Sequence, residues 1–173
     1  MFLRVISDLK RWNTEVCGNS QLIPADCFSD IKTTHNTLSL WQINENDNTE
    51  IETFAVLSTL NRNELKKISY ILISTEELSS IGLNFSQTNN VPDYLNSSQN
   101  NVIKHHYDIT DIDHQSYGKI ATLFRDKIRG DQLEIISEDP VINAAKRLFQ
   151  NGVINIKPLK DKIKQTIQAP IQP

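Results

Sequence analysis

The chain has 173 residues, 38% hydrophobic and 23% charged, with a formal net charge of −3. That is the length of one domain, with enough apolar residues to build a core without disulfides or metal, and the composition excludes a disordered or collagen-like chain. No apolar run approaches the ~20 residues of a membrane span. Met1 to Ile6 is apolar, but Ser7-Asp8 and Lys10-Arg11 follow at once, so no signal-peptide core is read there. The expected compartment is the cytoplasm, with Cys17 and Cys27 reduced. The two cysteines lie ten apart without a CxxC, which indicates neither a zinc site nor a redox pair.

Phe2 to Ile6 reads as a first strand. Cys17-Gly18-Asn19-Ser20 is turn chemistry, since Gly permits positive φ and Asn tolerates it. Pro24 suits the first turn of a short helix over Ala25 to Ile31, with Phe28 and Ile31 inward. Thr33-Thr34-His35-Asn36 reads as a loop. Thr37 to Ile43 alternates, with Leu38 and Leu40 on one parity and Trp41 and Ile43 on the other, which suits a strand covered on both faces. After a polar turn at Asn44 to Asn48, the spacing of Ile51, Phe54, Ala55 and Leu57 predicts a helix over Glu50–Leu60.

Ile68 to Ser74 is the most apolar short run, rich in β-branched and aromatic residues, and is expected near the centre of the sheet. Ser74 or Thr75 then caps a short helix whose first turn holds Glu76 and Glu77, and Gly82 suits its end. Residues 84–101 are dominated by Asn, Ser and Gln and read as an exposed, mobile loop. Val102 to Ile109 suggests a further strand. Asp111 or Asp113 caps a helix reaching Arg129, with Tyr117, Ile120, Ala121, Phe124 and Ile128 on one face and Gly130 after it. Leu133 to Ile136 reads as a short strand. Asp139-Pro140 opens another helix with Val141, Ala144, Ala145, Leu148 and Phe149 as its stripe. Val153 to Ile156 suggests an edge strand.

The fold class expected is therefore α/β or α+β. A single domain over residues 1–156 has a mixed sheet of four or five strands with helices packed on it, and residues 157–173 form a basic C-terminal helix and tail. In that tail Leu159, Ile163 and Ile167 recur every four residues, ringed by Lys157, Lys160, Lys162 and Lys164. A single apolar stripe among lysines suits docking into a groove on another protein, as it suits packing on its own domain. Taken as a docking element, the segment should be removable with the domain left folded. Trp41 is a further candidate contact, because Trp is enriched at interface hot spots, although core packing is its commoner role.

Each of the five glycines stands at least twelve positions from the next. No glycine-rich loop exists, which excludes a P-loop and a dinucleotide fingerprint, since both need several residues without Cβ so that amides can approach an anion. GxSxG, HExxH and EF-hand patterns are missing too. The densest polar cluster runs from His105 to His114. His106 and Asp108 can share a strand face and begin a metal site, with His114 or Asp111 returning from the helix start; their bland roles are partly exposed strand residues and helix caps. Glu64-Leu65-Lys66 with Asp47 upstream has the E-x-K form of one nuclease core, but it precedes the strand on which that chemistry needs it. Cys27 and His35 make a nucleophile–base pair only if the fold joins them.

Residues 1–113 carry 8 Lys and Arg against 15 Asp and Glu, a balance of −7, while residues 114–173 carry 10 against 6, a balance of +4. The reading that follows is a non-catalytic protein-binding subunit without a cofactor. It would be an accessory component of a bacterial multi-protein assembly, of a defence or immunity type. Two alternatives are a metal-dependent hydrolase or nuclease using the His105–His114 cluster, and an accessory nucleic-acid binder through residues 146–164, where no aromatic residue lies among the tail lysines 157–164 to stack on bases.

Overall fold

The structure is a computed structural model that describes residues 1–12, 22–31, 36–88, 91–96 and 100–170. The turn expected at residues 17–20, the loop at 33–35 and the cysteine at 17 lie outside the described residues. Along the chain run β1 (Phe2–Ile6), 3-10 turns at Leu9–Trp12 and Ala25–Ser29, β2 (Leu38–Gln42), α1 (Asn48–Leu57), β3 (Ile68–Ile73) and α2 (Thr75–Ser80). There follow β4 (Asn84–Gln87), α3 (Asn100–Ile103), β5 (His106–Thr110), α4 (His114–Arg129), β6 (Leu133–Ile136), α5 (Glu138–Gln150) and α6 (Asp161–Gln168).

The strands form one six-stranded sheet in the order β4-β5-β2-β1-β3-β6. Every neighbouring pair is antiparallel, so the fold is α+β and the sheet is not mixed. The strand beyond the expected four or five is β4, inside the stretch read as a loop. Asn84-Phe85-Ser86-Gln87 has a single apolar residue, which suffices at an edge. Phe85 sets its ring against Phe2, centroids 5.3 Å apart, and the other side chains face water. The same stretch holds Leu95, buried and bridged to Ile154, so residues 153–156 supply one bridge where a strand was expected.

β3 lies second from the sheet edge and β1 with β2 holds the middle. A run as apolar as Ile68–Ile73 reports coverage of both faces rather than lateral position. On one face, Leu3, Val5, Trp41, Ile43, Ile68 and Tyr70 join side chains of α1, α5 and α6 in one apolar cluster. On the other, Phe2, Ile6, Leu38, Leu40, Ile71, Ile73 and Ile109 join α2, α4 and the 3-10 turns in a second.

Local chemistry sets the helix ends. Asp47 caps α1 by accepting from the amides of Thr49 and Glu50. Ser74 and Glu77 form a reciprocal capping box on α2, which satisfies two backbone donors at once. Gly82 follows at φ +69°, a conformation glycine adopts without steric cost. Asp113 caps α4 through the Ser116 amide. α5 starts at Glu138, so Pro140 sits inside its first turn, where a missing N–H costs nothing.

α6 belongs to the core. Leu159, Ile163 and Ile167 are 5%, 0% and 4% exposed and sit in the cluster that includes Ala144 and Leu148 of α5. The stripe read as a docking face is thus occupied by its own domain, and the segment is not the detachable tail expected. One of its lysines reaches back to the domain, Lys162 to Glu64, while Lys164 pairs within the helix with Asp161; Lys146 of α5 donates to the carbonyl of Pro170 at 3.2 Å. Among the described residues, no helix is long and apolar enough to cross a membrane.

Candidate functional site

β1 pairs with β3 along its whole length, Phe2 opposite Ile73 through Ile6 opposite Ser69. With β2 it pairs only at Phe2–Gln42 and Leu3–Trp41. β2 nevertheless continues to pair with β5 as far as Leu38–Ile109. The two central strands therefore part after Leu3. Backbone groups freed at such a parting need partners, and Arg4 supplies them. Its Nη1 donates to the carbonyl of Ser39 at 2.9 Å, and its Nη2 to the carbonyl of Asp30 at 3.0 Å. The guanidinium lies across the opening, with its Nε buried and unbonded.

A cleft of about 660 Å³ opens at this parting on the α1 face. Leu3, Val5 and Trp41 give it an apolar floor. Ser58, Asn61 and Arg62, from the turn that ends α1, make one wall, and Pro92 with Tyr94 makes another. Ser7, Ser39 and His106 complete the lining, which among the described residues contains no carboxylate. Trp41 is held flat between two rings, 4.5 Å from His106 and 5.0 Å from Phe54, each pair stacked within about 23°. That fixes the wall without leaving the indole free to move.

Electrostatically the cleft is cationic in an acidic chain. Burial pushes the Arg4 guanidinium down to about 10, with Asp30 pulling it back up and Arg62 pressing it lower. Burial lowers Arg62 too, against the pull of Asp30. Asp30 lies behind the lining, 4% exposed, where Oδ2 accepts from Trp12 Nε1 at 2.8 Å and from the Asp8 amide at 3.3 Å. Its Oδ1 has no partner. Burial pushes the Tyr94 phenol up to about 12, so it keeps its proton and remains a donor at neutral pH.

No protein-family model matches the sequence. No curated protein or solved structure matches the chain either.

Of the sequence candidates, the structure brings His106, Asp108 and Trp41 together. His106 and Asp108 share a face of β5 and are 7% and 5% exposed. Asp108 accepts from Ser39 Oγ at 2.9 Å, and His106 is stacked on Trp41. His114 does not join them. It is an exposed residue opening α4, a helix that packs on the opposite face of the sheet. Asp111 is exposed at φ 55° and bonded by Thr110. Among the described residues, no group of three His, Cys, Asp or Glu could hold a metal ion. The expected set fails because strand parity sends one part of it through the sheet's near face and the helix cap to the far one.

The other candidates have structural duties. Asp47 caps α1, and Glu64 is bridged by Lys66 and Lys162, which holds its carboxyl below the usual range through those hydrogen bonds. Cys27 is fully buried, its thiol on the Arg11 carbonyl, and position 35 is outside the described residues. In the basic stretch 146–164, Arg147 pairs with Glu52, so only Lys157 and Lys160 stand exposed without an ion pair among its described cations.

Arg4, Arg62, Asn61 and Tyr94 were not singled out by sequence. One signal was available: an arginine inside the apolar strand Phe-Leu-Arg-Val-Ile, since a charge on a buried strand demands partners. Nothing in Asn61-Arg62-Asn63 distinguishes a site from a turn.

Proposed function

We propose that the protein is a non-catalytic protein-binding subunit, an accessory component of a larger assembly, that takes part of its partner into the cleft beside β1 and β2. The observation that supports this most is Arg62. Its guanidinium is half-buried and cationic, and among the described residues it makes no hydrogen bond or ion pair. Removing a charge partly from water costs free energy that the pull of Asp30 offsets only in part, and a bound anion recovers more of it. The groups best suited to acid–base work are engaged elsewhere, Asp108 by Ser39 and His106 by the Trp41 stack.

The test is affinity capture from the native host with the tagged wild type, Arg62→Glu and Lys160→Glu, each checked by light scattering. A protein retained in stoichiometric amount by the wild type and by Lys160→Glu, but lost from Arg62→Glu, supports the reading. Equal retention by all three overturns it.

A further inference from the structure

We infer that the cleft is a carboxylate socket, and that the group it takes is an aspartate or glutamate side chain of the protein partner. The inference deepens the subunit reading and rests on it. Four observations specify the chemistry. Arg62 offers an unbonded guanidinium fork, and the geometry of that fork matches a carboxylate bidentately. The Tyr94 hydroxyl and the Asn61 amide line the same cleft and make no hydrogen bond among the described residues, so both serve as donors. Arg4 adds charge, with one N–H of each Nη held by the Ser39 and Asp30 carbonyls. Leu3, Val5 and Trp41 form an apolar floor on which a methylene stem can lie.

These features favour a carboxylate over a phosphate. One free fork balances one negative charge, whereas a dianion held by several strong acceptors calls for a second free cation. Of the lining serines, only Ser7 has a hydroxyl without a partner among the described residues. Ser39 already donates to Asp108, and Ser58 to the carbonyl of Phe54 at 2.8 Å. Selectivity against an uncharged isostere follows from the same arrangement, because a glutamine in the socket leaves the burial of the Arg62 charge offset only in part, by Asp30.

The test uses an acetylated, amidated Leu-Glu-Leu peptide, its Leu-Gln-Leu counterpart, and inorganic phosphate. Each is titrated into the 15N-labelled full chain while the arginine Nε and backbone resonances are followed. The expected result is saturable binding of the glutamate peptide that moves Arg62, Asn61 and Tyr94, with the glutamine peptide at least about tenfold weaker. Arg62→Gln should abolish the response, and Arg62→Lys, which keeps the charge without the fork, should weaken it. Tighter binding of phosphate than of the glutamate peptide, equal binding of the two peptides, or shifts confined to other faces would each overturn the inference. Partner capture separates the two levels. If Arg62→Gln keeps a partner that Arg62→Glu loses, the socket is wrong and the subunit reading stands. If the wild type captures none yet binds the glutamate peptide at Arg62, the socket stands and the subunit reading falls.

Discussion

Ile163→Ala decides whether α6 is part of the fold or an appendage to it. Ile163 is 0% exposed and lies in the apolar cluster shared with Leu148 and Leu57. Truncation removes the transfer free energy of its outer carbons and leaves a cavity that packed neighbours only partly close, a loss of about 2–5 kcal/mol for a fully buried aliphatic. In a chain of this length each kcal/mol lowers the midpoint by about 2–4 °C, so a fall of about 4–20 °C is expected. Thermal melting followed by circular dichroism, with urea unfolding for the free energy, measures it. Lys160→Ala, exposed one turn away, serves as the control and should change stability by no more than about 0.5 kcal/mol. Extended to all three buried side chains, deletion of residues 157–173 forfeits about 5–9 kcal/mol of burial, comparable with the whole stability of a typical domain. The shortened chain should therefore unfold. A change below about 1 kcal/mol for Ile163→Ala, or a cooperative melt of the shortened chain at the wild-type temperature, would refute the reasoning.

Two glycines should respond with opposite signs. Gly118→Ala, in the interior of α4 with nothing within 4 Å of the added Cβ, should stabilise by about 0.5–1 kcal/mol. Gly82→Ala, at φ +69°, should cost about 1–2 kcal/mol; urea midpoints of both variants check the pair. Ser74→Ala removes one half of the α2 capping box and should cost about 1 kcal/mol in the same assay. The Asp113 carboxyl is held below its ordinary 3.8, first by the Ser116 amide and then by its hydroxyl. A depressed carboxyl stabilises the fold above its unfolded value, and that contribution is lost as pH falls through the lower folded one. Below about pH 4 the wild type should thus lose stability more steeply than Asp113→Asn, whose side-chain oxygen still caps the helix; parallel melts across that range test it.

Most elements were legible because their signals are local. Alternation and β-branching marked Phe2–Ile6, Leu38–Gln42 and Ile68–Ile73, and periodic stripes marked α4 and α5, the first with its Asp113 cap, whereas Asp139, read as opening the second, lies inside its first turn. What stayed hidden depended on neighbours. The sequence Asn-Phe-Ser-Gln becomes β4 only because β5 offers it an open edge and Phe2 a ring to pack on. Leu159, Ile163 and Ile167 read as one stripe in either role, and whether it meets a partner or α5 is a tertiary matter. The cleft was less legible still. It is assembled from Arg4 on β1, the turn at Asn61 and Arg62, and Tyr94 beyond β4, which no spacing rule connects. Charge balance along the chain even pointed the other way. The two arginines belong to the half with a balance of −7, and the basic half spends much of its charge on internal pairs.

The most direct measurement places the photoreactive side chain p-benzoyl-phenylalanine at position 63, exposed beside Arg62 and outside the cleft lining, and in a second protein at position 160. Each is irradiated in the native host, and the crosslinked mass and site are read by mass spectrometry. The expected result is one protein joined at position 63, through a segment bearing aspartate or glutamate, and nothing joined at position 160. Crosslinking at 160 with none at 63, or a segment at 63 without an acidic side chain, would contradict a partner held by its carboxylate against Arg62.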